Sequence, residues 1–244
     1  MTPSEPVRLH VEAGVGEIVL ARRERRNAVD PGMAARLKEV VAQAGEMEDV
    51  RAVLLYGDGS SFSSGGDLRA LEAMGDDDAL RLMGAMSRTL EDLRSLPKAV
   101  IAWIEGDAVG GGVEIALASD VIWAHPAARV APIQVSLGLL PGWGGWSLLR
   151  DRMGAARARA ILLEARRMEA AEALSLGLVD RILPGIHAAR AEARRIASWP
   201  LGAVRALKTI SPQNAAEVFP GLWRDPARRE RMGRPEGRDG TSPP

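Results

Sequence analysis

The sequence predicts an α/β body followed by a purely helical C-terminal section. Short apolar runs of strand length alternate with helical patterns from Val7 to Leu183, and from Ile186 onward the patterns are helical only. Two glycine-rich segments, Phe62–Leu68 and Gly106–Glu114, each lie between a strand-like run and a helix-like one. At 244 residues the chain can bury a proper hydrophobic core.

Val7–Val11 and Glu17–Ala21 read as a hairpin closed by Ala13-Gly14-Val15-Gly16. Asp30-Pro31 is a helix start, an N-cap followed by Pro at the first helical position, and the helix runs to about Glu48 with Met33, Leu37, Val40, Val41 and Ala44 on one face. Ala52–Tyr56 is a strand, Leu68–Met74 a short helix, and Gly75 opens a longer helix whose expected stripe is Leu80, Met83, Ser87, Leu90 and Leu93. Its methionines are expected to fill the core. Val100–Ile104, Asp120–Ala124 and Val179–Leu183 read as strands, with helices at Gly111–Ser119 and Glu169–Leu176 between them. The closing helices are expected at Ile186–Ser198, Leu201–Ile210 and Ala215–Trp223. The remainder from Arg224 is rich in Arg, Pro and Gly, and the tail after about Met232 is expected to be disordered.

Composition excludes several classes. With 32 basic and 32 acidic residues there is no overall field to draw nucleic acid or an anionic membrane, so neither is expected as a partner. No cysteine is present, which rules out disulfides, thiolate catalysis and cysteine-based metal centres and fits a cytoplasmic setting. No apolar run approaches a membrane span, and no histidine–carboxylate cluster suggests a metal. The triple glycine lacks the Gly-x-Gly-x-x-Gly spacing of a dinucleotide site, and Ser63 and Ser64 lack a Gly-x-Ser-x-Gly elbow.

What the glycine turns do offer is backbone N–H groups at two strand-to-helix junctions. Two such donors meeting one oxygen would make an oxyanion hole. Glu114 follows Gly111 by about one helical turn and is a candidate proton carrier, its charge expected to be favoured near a helix start.

Five segments occur in a fixed order along Val7 to Arg205: Arg26-Asn27-Ala28, Phe62–Leu68, Gly106–Glu114 with Asp120 following, Gly138–Gly145, and Ala170–Ile182. In this order they resemble the enoyl-CoA hydratase/isomerase (crotonase) superfamily. The resemblance implies a crotonase-like spiral of ββα repeats with the acyl-CoA site over 1–185, a helical oligomerisation region over 186–232 that builds trimers or hexamers, and a tail from 233. It implies an acyl-CoA substrate of the kind met in fatty acid metabolism, with coenzyme A entering only as part of that substrate and no separate cofactor. By position, the amides of Gly66 and Gly111 would hold the thioester oxygen of an enolate, and Glu114 would be one of two glutamates that hydratases use. Arg25, Arg26 and Arg69 fall where members meet the nucleotide, and Ser64, Asp67, Leu68, Pro141 and Trp143 fall in the turns that meet substrate.

The second glutamate is missing. Its position reads Gln134 in Ile133-Gln134-Val135, and an amide cannot accept and return a proton at neutral pH. Hydration with Gln134 only positioning the water and isomerisation through Glu114 both fit, so an enzyme of the enoyl-CoA hydratase/isomerase type is the first expectation; decarboxylation of a malonyl-type thioester is the close alternative. The Trp143-Gly144-Gly145 turn resembles that of ethylmalonyl-CoA decarboxylase-like members, which also lack this glutamate. A non-catalytic acyl-CoA- or RNA-binding relative is the alternative from another class.

Overall fold

Ala13 and Gly14, at φ of 50° and 78°, close a hairpin of β1 (Val7–Glu12) and β2 (Val15–Leu20). Left-handed turn residues match the twist of paired strands, so the turn needs two residues rather than the four expected. The computed structural model describes residues 5–211 and 213–233, which divide into two compact units, one ending at Ser198 and the other beginning at Trp199.

In the first unit Asp30 caps α1 (Pro31–Glu46) by accepting from the Met33 amide at 2.8 Å, and the five predicted core residues of that helix are buried together with Ala34. The chain continues through β3 (Ala52–Gly57), β4 (Ser61–Ser63), α2 (Leu68–Glu72) and α3 (Asp76–Arg94). Then come β5 (Ala99–Ile104), β6 (Asp107–Val109), α4 (Gly111–Leu117), β7 (Val121–Ala124) and β8 (Arg129–Ala131). A 3-10 turn at Gln134–Leu137 leads to α5 (Gly145–Met153) and α6 (Ala155–Glu164), and the unit ends with β9 (Met168–Glu169), α7 (Ala170–Leu176), β10 (Arg181–Ile182) and α8 (Ile186–Ala197).

Each of three successive passages, β3/β4, β5/β6 and β7/β8, gives its first strand to one sheet and its second to another. The six-stranded sheet runs β1-β2-β3-β5-β7-β10 and the four-stranded one β4-β6-β8-β9, with parallel pairing except at β1/β2 and β8/β9. This is the expected spiral of ββα repeats. Two aspartates repeat one device along it. Asp120 donates its amide to the Val100 carbonyl and accepts from the Val100 amide, at 2.9 and 2.8 Å; Asp180 does the same with Ile122, both at 2.7 Å. A carboxylate thus replaces a strand carbonyl at the edge of each ladder, and the strand expected at Val179–Leu183 is the two-residue β10 that follows Asp180.

Both faces of the large sheet are covered, as parallel sheets require. On one side Ile18, Leu20, Val53 and Leu55 meet α1 and α3. The buried stripe of α3 is Leu82, Met86, Thr89, Leu90 and Leu93, which keeps Leu90 and Leu93 of the expected stripe and departs from it in the first turns, where Leu80 is exposed and Met83 turns toward a cavity. On the other side Leu54, Ile101, Trp103 and Trp123 lie beneath Ala189, Ala193 and Ala197 of α8. The small alanine face lets α8 sit close to the two indoles. That packing corrects the boundary expected at residue 185: α8 completes the first unit, which ends at Ser198.

A polar clasp reinforces α8. Arg190 donates to both oxygens of buried Glu17 at 2.8 Å, and Tyr56 donates to Glu17 at 2.7 Å. Burial pushes the Glu17 carboxyl up, but the bonds from Arg190 and Tyr56 outweigh it and the group lies below its ordinary value.

The second unit holds α9 (Leu201–Thr209), α10 (Ala215–Arg224) and α11 (Pro226–Gly233). Phe219 stacks on Trp223 with ring centroids 5.8 Å apart, and Arg228 lies over the Trp223 ring. Gly233, expected to begin a tail, ends α11; the rest of that expected tail lies outside the described residues. Among the described residues no helix is long and apolar enough to cross a membrane.

Replacing Glu17 by Ala leaves Arg190 and Tyr56 without their acceptor and should destabilise the protein by about 2 kcal/mol at neutral pH. Because the folded carboxyl holds its proton less tightly than the unfolded one, its contribution is present above the ordinary value of 4.5 and is lost as pH falls through the folded value. The gap between wild type and Glu17→Ala in urea unfolding should therefore narrow on acidification. A gap that does not change with pH would contradict the assignment.

Candidate active site

The two glycine turns meet backbone to backbone. Val29 forms a parallel bridge with Gly66, its amide donating to the Gly65 carbonyl at 2.8 Å and its carbonyl accepting from the Asp67 amide at 2.9 Å. In such a bridge the flanking residues make the bonds, so the Gly66 N–H points away from Val29. Gly111, the first residue of α4, has an amide with no partner in its own helix. A side chain on Gly111 would overlap the Trp143 ring, and one on Gly112 would overlap the Ser63 carbonyl. Only glycine permits either approach.

Behind the turns Asn27, fully buried at φ 55°, donates to the carbonyls of Asp58, Ser61 and Phe62, while Ser63 donates to the Asn27 carbonyl. Arg22 pairs with Asp30 at 2.9 Å and Asp67 at 3.4 Å. These contacts tie the Arg26-Asn27-Ala28 segment to the first glycine turn.

A cavity of about 470 Å³ opens at the junction. Gly66, Gly111, Glu114 and Gln134 all line it, as do Arg25, Arg26, Ser64, Asp67, Leu68, Arg69 and Trp143. Pro141 does not; its neighbours Leu140 and Gly142 face the space instead. The Asp67 carboxylate is engaged with Arg22 and with the Ala70 amide at the start of α2, so a structural task holds it in place. Trp143 does two things: its ring walls the cavity against Gly111, and its amide donates to Glu114.

Glu114 is buried, with 3% of its surface exposed. Its Oε2 accepts from the amides of Trp143 and Gly145, both at 2.8 Å, and its Oε1 accepts from Gln134 Nε2 at 3.0 Å. Burial nevertheless pushes its carboxyl above the ordinary value against these bonds. The donors around the carboxylate favour its charge, but desolvation outweighs them. Gln134 Oε1 is buried without a partner.

The functional family follows from comparison with known proteins. Residues 10–218 match the family model described as enoyl-CoA hydratase/isomerase. The chain belongs to the enoyl-CoA hydratase/isomerase family. YhaR of Bacillus subtilis (strain 168), provisionally named an enoyl-CoA hydratase/isomerase, is 35% identical over 182 residues, which is 74% of this chain and 71% of that one. The ethylmalonyl-CoA decarboxylase of Xenopus laevis is 33% identical over 176 residues, 72% of this chain but only 59% of the relative. The crystal structure of enoyl-CoA hydratase from Thermoplasma volcanium GSS1 superposes with a TM-score of 0.87 at 27% identity, covering 94% of this chain and 96% of that one. These relatives support an acyl-CoA enzyme without fixing its reaction.

Met83, which lines the cavity, and Gly145, which holds Glu114, escaped the reading of the sequence. Met83 had only a helical period to mark it, which also suits a core residue. Gly145 carried a better signal, since it ends the Gly138–Gly145 segment: a Cβ there would stand 2.6 Å from Glu114 Cγ, so glycine is what admits the carboxylate.

Since Glu114 binds its proton more tightly folded than unfolded, it stabilises the fold below its unfolded value and this contribution is lost as pH rises through the folded value. Glu114→Gln keeps the shape without the charge. It should melt at or above the wild-type temperature at neutral pH, with the difference vanishing near pH 4. A variant less stable than wild type at neutral pH would contradict an upward shift of the Glu114 carboxyl.

Proposed function

We propose that this chain is an acyl-CoA enzyme that forms a thioester enolate, with the amides of Gly66 and Gly111 as the oxyanion hole and Glu114 as its sole carboxylic acid/base. The reaction best supported is decarboxylation of a malonyl-type thioester. The observation that carries it is the single buried carboxyl at the cavity, bonded to an amide, Gln134, at the position where hydratases have their second glutamate. Addition of water asks for one group to activate water and one to protonate carbon. Loss of CO₂ asks for less. The bond from the α-carbon to the carboxylate breaks, its electron pair moves onto the thioester, and the developing oxyanion is met by two fixed amides, each worth roughly 3 kcal/mol. Glu114 then delivers one proton to the α-carbon, a task suited to a carboxyl whose proton affinity is raised by burial. The similarity to the Xenopus laevis ethylmalonyl-CoA decarboxylase supports the same reading.

Isomerisation of an enoyl thioester is the second reading, favoured by the same observation, because one carboxyl can carry a proton from the α- to the γ-carbon. Arg25, Arg26 and Arg69 at the mouth suit the phosphates of coenzyme A, with no other cofactor. The proposal extends to a cytoplasmic homotrimer or hexamer, supported by exposed Leu207, Phe219 and Trp223 in the second unit.

Incubation with ethylmalonyl-CoA, crotonyl-CoA and a 3-enoyl-CoA, followed by chromatography with mass detection, should give butyryl-CoA faster than the isomerised thioester and at least about tenfold faster than the hydrated one, one missing proton-transfer group accounting for the latter. In D₂O the wild type should place deuterium on one face of the α-carbon. Glu114→Gln should retain CO₂ loss but scramble that face. Hydration of crotonyl-CoA without CO₂ release from ethylmalonyl-CoA would refute the decarboxylase reading.

A further inference from the structure

The reaction as written gives Gln134 no task, yet its side chain is committed to Glu114. It is 8% exposed, lines the cavity and donates Nε2 to Glu114 Oε1 at 3.0 Å, while its own Oε1 is buried without a partner. A buried acceptor left unpaired costs stability, so the fold gains little from an amide at this position beyond its bond to Glu114. A carboxylate offers about four lone-pair sites. On Glu114 the amides of Trp143 and Gly145 take both sites of Oε2, and Gln134 takes one of the two on Oε1. Gly145, on the Oε2 side, does not line the cavity whereas Gln134 does, so Oε1 is the oxygen turned toward the substrate space.

We propose that Gln134 is a positioning residue: by filling one site on Oε1 it confines the Glu114 proton to the remaining one, which faces the substrate α-carbon. The inference rests on Glu114 as the acid/base at that carbon and adds what aims it. The same bond favours the ionised carboxylate and so works against the desolvation that raises the proton affinity of Glu114. Gln134 therefore also sets the pH at which Glu114 changes from acid to base.

Without that donor two sites on Oε1 are open, and only one of them points at the α-carbon. A proton on the other is out of reach of the enolate, which then waits for solvent and takes a proton on either face. The groups facing Glu114 are the amides of Trp143 and Gly145, the Gly142 backbone and the Gln134 amide, none of which titrates at neutral pH. The other charged residues lining the cavity are Glu24, Arg25, Arg26, Asp67 and Arg69, of which Asp67 is paired with Arg22. Of the side chains bonded to Glu114, Gln134 alone can be exchanged, since Trp143 and Gly145 act through backbone amides.

Hydrogen exchange of butyryl-CoA in D₂O tests this with the full chain and without CO₂ loss. Ionised Glu114 takes one α-proton: the C–H bond breaks, its electron pair moves onto the thioester oxygen between the Gly66 and Gly111 amides, and the proton rests on Oε1. It exchanges with solvent, and a deuteron returns to the same face of the α-carbon. The wild type should label one α-position, at a rate that rises with pH to a plateau as Glu114 ionises. Gln134→Met keeps the length of the side chain and removes the donor. It should bind butyryl-CoA as tightly as wild type, move the midpoint of that rise upward by about one pH unit or more, the worth of one hydrogen bond to a charge, and label both α-positions. A Gln134→Met variant that keeps the wild-type midpoint, confines the label to one position or no longer binds butyryl-CoA overturns the role of Gln134 and leaves the acid/base reading standing. Absence of exchange in the wild type overturns that reading, and the role of Gln134 with it.

Discussion

Contact between the backbones of two glycine turns is the constraint on which this molecule depends. A Cβ at Gly112 would collide with the Ser63 carbonyl, and one at Gly111 with the Trp143 ring. Interiors are packed closely enough that the first collision could be absorbed only by shifting β4 or α4 and the second only by displacing the Trp143 ring. The spiral brings β4 and β6 side by side, and the turns that leave them therefore open at the same edge. Asn27, with three carbonyls on its amide, and Arg22, with two carboxylates, fasten the preceding segment to the first turn. The site is consequently built from peptide groups that the fold already holds in place, the kind of preorganisation that makes backbone donors effective toward a developing negative charge.

Glu114 is the counterpoint. Three hydrogen bonds favour its charge, and burial prevails over them. A carboxyl in this state is costly to hold in the fold and well matched to moving a proton. Gly145 is part of the same arrangement, since its missing side chain makes room for the carboxylate and its amide then binds it.

The alternation of strands and helices was legible in the sequence, as was the Asp30-Pro31 helix start, because both arise from local periodicity and capping. The family was legible because its segments include residues that admit no substitute, such as glycines where a side chain would strike a neighbouring turn. Long-range choices were not. The face of α3 is set by α1 and the sheet, so a stripe drawn through Leu80 and Met83 was shifted from the buried one. The attachment of α8 depends on alanines meeting Trp103 and Trp123, contacts invisible to composition, and the boundary moved from 185 to 198. Pro141 sits in a segment whose neighbours face the cavity, and spacing alone does not tell which residues of a turn point inward.

The central claim is that the amides of Gly66 and Gly111 share one thioester oxygen. A crystal structure with butyryl-CoA bound tests it most directly. The account predicts the thioester oxygen at about 2.7–3.1 Å from both nitrogens, with the α-carbon facing Glu114. A thioester bound in the cavity with its oxygen turned away from either amide would contradict it.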